Sequence, residues 1–77
     1  MSDSIAELFK NKQYCFDEIN RIRQTIGNKT LATEAAFAAS FRTLSFMLLH
    51  CPEEIYDLVV GQIKELQRRE RYALFGI

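Results

Sequence analysis

The sequence predicts an all-α chain of three helices, the first two a long antiparallel hairpin, that assembles with copies of itself into a helical bundle. Three observations carry this. Residues 31–51, LATEAAFAASFRTLSFMLLHC, hold 14 apolar side chains among 21 and only two full charges, Glu34 and Arg42. Within that stretch Phe37, Phe41, Leu44, Leu48 and Cys51 recur at gaps of four, three, four and three, the spacing of one helical stripe. The segments on either side, 4–26 and 52–72, repeat that spacing with charges on the opposite side, the pattern of amphipathic helices.

The first helix is expected over about 4–26. Ser2, Asp3 and Ser4 offer N-caps, and Glu7 follows Ser4 by three residues, as in a capping box. Its seam reads Ile5, Leu8, Lys12, Cys15, Ile19, Ile22 and Ile26, widened by Phe9 and Phe16. Asp17 and Arg21 stand at a favourable four-residue spacing. Lys12 interrupts the seam, so the polar run KNKQ at 10–13 is where a kink or break would fall. Gly27-Asn28 should stop the helix, glycine taking the left-handed position that follows many helix ends.

The second helix is expected over about 31–51, with Thr30 as its N-cap and Glu34 near the positive end of the helix dipole. The five alanines at 32, 35, 36, 38 and 39 favour helix because alanine loses no side-chain freedom. A second stripe runs through Ala35, Ala39, Phe46 and Leu49 with Met47 nearby. A helix apolar on several sides must be covered on several sides, and two neighbouring helices do not suffice. A second copy of the chain is therefore expected to complete the cover, with Phe37, Phe41, Phe46 and Leu49 at the oligomer interface. Arg42 in mid-stretch argues against a membrane span, since the apolar runs on either side are too short.

Cys51 precedes Pro52, which disfavours helical geometry at Cys51 and suits the first turn of a third helix over about 52–72. Ile55, Leu58, Val59, Ile63 and Leu66 should face inward, and Gly61 in mid-helix suggests a close helix crossing. The run QRRER is polar all round, and residues 73–77 form an apolar tail in which Leu74, Phe75 and Ile77 need cover.

Seventy-seven residues make one domain. Ten basic and ten acidic side chains cancel, so bulk charge does not mark the chain for nucleic acid or for an anionic membrane. The start, MSDSIAELFKNK, shows no basic leader and no apolar core, so no signal peptide is expected. Two cysteines do not make a disulfide framework, which suggests a reducing, cytoplasmic setting. In an ideal hairpin Cys15 and Cys51 sit about 13 Å apart along the axis, too far for a bridge.

Chemistry finds little footing. One histidine, no phosphate loop and no nucleophile motif argue against an enzyme. His50 and Cys51 are adjacent and lack zinc spacing, so no metal and no cofactor are expected. The greasiest helix follows the first turn, which fits a DNA-reading helix poorly. What remains are binding surfaces. Arg68, Arg69, Arg71, Tyr72 and Phe75 form the only basic cluster with aromatic anchors, a candidate dock for a protein partner. Arg42, on an apolar helix, should pair with Asp17 or Glu18 or with an acid of the second subunit, or with Lys29 and Tyr14 recognise an anion.

The expected function is that of a small non-catalytic binding protein that regulates or inhibits a macromolecular partner, a class that includes many bacterial and phage accessory factors. An oligomer holding an anionic ligand such as a nucleotide between subunits is the alternative, and a weak nucleic-acid binder comes third.

Overall fold

The computed structural model describes residues 4–76; the expected caps Ser2 and Asp3, the Ser4 side chain and Ile77 lie outside the described residues. Among the described residues the only regular structure is helix, with no strand. It has four helices rather than three: α1 (Ser4–Phe9), α2 (Lys12–Ile26), α3 (Glu34–His50) and α4 (Tyr56–Glu70). A 3₁₀ turn, Glu53–Ile55, leads into α4, and a π turn, Arg71–Phe75, continues it.

The extra helix comes from a break at the polar run. Asn11 leaves helical geometry and its side chain accepts from the Tyr14 N–H at 3.0 Å, which starts α2 afresh. A continuous helix would have driven Lys12 into the core. The break instead turns Phe9 inward, leaves Ile5 and Leu8 exposed, and lets the Lys12 ammonium reach Glu54 at 2.5 Å on the surface. The Phe9 carbonyl, freed at the end of α1, accepts from the Cys15 thiol at 3.1 Å.

The turn between α2 and α3 also differs from expectation. Gly27 stays right-handed at φ −74°, and no described non-glycine residue has positive φ. Asn28 makes the turn instead: its side-chain oxygen accepts from Thr30 N–H at 2.9 Å and Leu31 N–H at 3.3 Å. The Ala32 and Thr33 N–H groups that a Thr30 cap would serve go to the Asn28 and Leu31 carbonyls instead, so Thr30 does not cap α3. The cap falls to Thr33, whose hydroxyl accepts from Ala36 N–H at 3.1 Å. At the other end Cys51 is extended, as the following proline demands, and Pro52 sits just outside the 3₁₀ turn rather than inside a helix.

α3 is the central element and touches α1, α2 and α4, while α2 and α4 scarcely meet. The core gathers Phe9, Cys15, Ile19, Ile22 and Ile26 from the first half, Phe37, Leu44 and Met47 from α3, and Ile55, Val59 and Leu66 from the last segment. Met47 and Val59 are completely buried. Phe37 is core and not available to a partner, and Phe41 is half-buried against the same cluster. Ser40 is the one buried polar residue described, and its hydroxyl donates to the Ala36 carbonyl at 2.8 Å. The expected tail is not separate, since helix continues to Phe75 and stops at Gly76, left-handed at φ 73°, whose N–H returns to the Tyr72 carbonyl. Leu74 packs against the core while Phe75 stays exposed. Among the described residues no helix is long and apolar enough to cross a membrane.

Candidate functional site

Two surfaces arise from the way α3 is flanked. α2 and α4 lie side by side over one face of α3 and are splayed apart. Between them runs a cavity of about 630 Å³ whose lining includes Ile22, Leu44, Leu58, Gly61 and Leu66, with Arg23, Asp57, Glu65 and Arg69 at its edges. A methyl group added at Gly61 would meet nothing within 4 Å. Gly61 therefore marks an open groove, not the close crossing its position suggested. Leu58, expected inside, is partly exposed beside it.

The groove runs on, past Ile26, Gly27 and Arg69, into a second cavity of about 640 Å³ where Lys29, Arg68, Arg69 and Tyr72 converge around Ala32, Phe37 and Ala73. Three of the five residues expected to bind a partner thus line one cavity with Lys29. Arg71 and Phe75 line neither cavity.

Charge in this groove is organised by Glu65. Its carboxylate accepts from both Arg68 and Arg69, the latter at 3.0 Å. These hydrogen bonds, first those from Arg68 and then that from Arg69, hold the Glu65 carboxyl below the usual carboxylate range. All three side chains are well exposed, so the cluster orders the guanidinium groups more than it stabilises the fold. Arg23 and Lys29, at the opposite edge, have no ion-pair partner among the described residues.

The residues considered for anion recognition are divided. Arg42 and Tyr14 share a shallow depression of about 300 Å³ with Ile5, Phe9, Glu18, Thr43 and Phe46, whereas Lys29 lies in the cavity beside Tyr72. Arg42 is exposed and makes no ion pair with Asp17 or Glu18. Glu18 is taken by Arg21 at 2.7 Å, and Asp17 accepts from Gln13 at 3.0 Å rather than meeting Arg21. Around this depression Tyr14, Phe9, Phe46 and His50 form a run of ring contacts with centroids 5.4, 5.9 and 4.7 Å apart. Sequence spacing gave Phe9 only a flanking role, because the seam was drawn through an unbroken first helix.

Both thiols are free. Burial pushes Cys15 up from its ordinary value, with a further contribution from Cys51, and burial pushes Cys51 up as well. Cys15 lies in the core cluster and Cys51 packs, half-buried, against it. No group of three or more His, Cys, Asp or Glu side chains that could hold a metal ion occurs among the described residues. No known protein family, no curated protein and no solved structure matches this chain.

Proposed function

We propose that this chain is a small non-catalytic binding protein that acts as a homo-oligomer, in a reducing cytoplasmic setting, and regulates a macromolecular partner through its helical surface. One observation carries the reading: the groove between α2 and α4. It is apolar along its floor, open at Gly61, and edged by Arg23, Lys29, Arg68 and Arg69 against Asp57 and Glu65. Such a channel suits an amphipathic helix that lays apolar side chains into the groove and turns acidic ones to the rim. Tyr72, three-quarters exposed, supplies an aromatic anchor at the far end.

The test uses the full chain as bait in a native lysate beside two variants, Arg68→Glu/Arg69→Glu and Tyr72→Ala. All three positions are exposed, so the fold should survive. A protein held by the wild type and lost from both variants supports the reading. Equal capture by all three baits removes the groove as the docking surface.

Lys29, Arg68 and Arg69 around one cavity with Tyr72 also favour a second reading, an anionic small ligand such as a nucleotide whose ring stacks on the tyrosine. Thermal melts with nucleotides and with inorganic phosphate separate the two. A ligand at about 100 times its Kd stabilises by about 2.7 kcal/mol, and no shift leaves the protein-partner reading alone.

A further inference from the structure

We propose that α3 packs antiparallel against α3 of a second copy, across a two-fold axis near residues 42–45, leaving the α2–α4 groove free for the partner. This deepens the homo-oligomer reading above by naming the face and its direction.

The argument starts from what each helix shows to water. The exposed sides of α2 and α4 are charged, through residues such as Lys12, Asp17, Arg21, Asp57, Lys64 and Arg68. The exposed side of α3 reads Ala35, Ala38, Ala39, Arg42, Phe46 and Leu49. These residues recur at helical spacing along nearly the whole helix, on the side away from Leu44 and the groove. Leu49 is 75% exposed and Phe46 38% exposed. The molecule is only 16 Å through its thinnest direction, two layers of helices at most, and among the described residues this face is met only at its edge, where Phe9 and His50 touch the Phe46 ring.

Its size pattern selects the occupant. The N-terminal half is alanine and the C-terminal half is phenylalanine and leucine. An antiparallel two-fold pairing lays Phe46 and Leu49 of one copy on the alanines of the other, twice over, so large meets small along the seam. A parallel pairing would set alanine on alanine at one end and crowd the large side chains at the other. Antiparallel alignment also opposes the two helix dipoles favourably.

Charge agrees with the same choice. The chain has a formal net charge of zero, so two copies meet without bulk repulsion. Arg42 is the one charge inside the seam and has no ion-pair partner among the described residues. A two-fold axis here also brings the two Arg42 side chains near one another, and each guanidinium escapes that approach by lying over the ring face of Phe46 in the other copy, a favourable cation–π placement.

The extent is adequate. From residue 35 to 49 the seam is about 21 Å long. Ile5 and Leu8 of α1 are exposed, and Ile5 lines the same depression as Phe46, which widens the apolar patch. Two such patches bury on the order of 1,000 Å² in all, the lower bound for a specific interface.

The experiment combines mass in solution with directional cross-linking. Sedimentation of the wild type should report twice the 9.0 kDa chain mass. Leu49→Asp should sediment as a single chain, its dimer Kd raised at least about 100-fold by loss of two buried leucines, with circular dichroism and cooperative melting retained. For direction, a single cysteine is placed at Ser45 or at Ala35 in a Cys51→Ala background, with wholly buried Cys15 left in place. A short bis-maleimide should join Ser45→Cys chains, which lie near the axis. It should fail on Ala35→Cys, whose copies stand about 20 Å or more apart. A wild-type dimer that Leu49→Asp leaves intact, or one in which Ala35→Cys links as readily as Ser45→Cys, overturns this pairing while the homo-oligomer stands. A wild type that sediments as a single chain overturns both.

Discussion

Replacing Gly61 with alanine should make the isolated protein more stable. Gly61 lies in the interior of α4, on its exposed side, where glycine costs about 1 kcal/mol relative to alanine because it gives up more backbone freedom on folding. The usual reason to keep such a glycine is close contact with a neighbouring element. Here an added methyl group meets nothing within 4 Å, since the position borders the open α2–α4 groove. No steric term offsets the gain, and the substitution should stabilise by about 1 kcal/mol. For a domain of this size that corresponds to about 4–8 °C in Tm. Thermal melting by circular dichroism, at matched protein concentration, measures it. Urea unfolding gives an independent value, with the midpoint raised and the slope unchanged. An unchanged or lowered Tm would refute the reasoning, because it would mean that the groove is filled. The same methyl stands where a docked helix would approach, so a groove-binding partner should bind Gly61→Ala more weakly although the fold has gained.

Three further outcomes follow from the same packing. Phe37→Ala removes a ring that is 1% exposed and should cost about 3–5 kcal/mol, enough to unfold a small domain near room temperature, whereas Phe46→Ala should cost the single chain far less; equal loss of Tm would reject the split between core and surface. Glu65→Gln should leave Tm nearly unchanged and strengthen binding of an acidic peptide or of phosphate, since it releases Arg68 and Arg69 from their shared carboxylate; unaltered titration by calorimetry would count against those arginines as the binding edge. Because burial raises the Cys15 and Cys51 thiols, the folded state favours the neutral form. Its stabilisation is complete below the unfolded thiol value of about 8.5 and is lost as pH rises through the raised folded values. Melting temperatures of the wild type should therefore fall between neutral pH and pH of about 10 more steeply than those of Cys15→Ala, and parallel curves would dismiss the thiols as the cause.

Sequence alone determined the helical class, the three long segments and the centrality of residues 31–51. Those features rest on local spacing and propensity, which a chain carries wherever it folds. It also marked Arg68, Arg69 and Tyr72 as companions, since neighbours one turn apart on a helix share a side. It pointed to residues 10–13 as the place for a break but did not decide whether the first helix breaks, because the cost of burying Lys12 depends on what α3 and the turn after it place beside that position. It did not separate Phe37 from Phe46, since both belong to apolar stripes of one greasy helix. Only the way α1, α2 and α4 pack around α3 sends Phe37 into the core, leaves Leu49 facing water and sets Phe46 between Phe9 and solvent. It did not bring Lys29 to Tyr72, because that distance is set by how far α2 and α4 stand apart. That splay is a property of three helices packed together, and no local pattern in the chain encodes it.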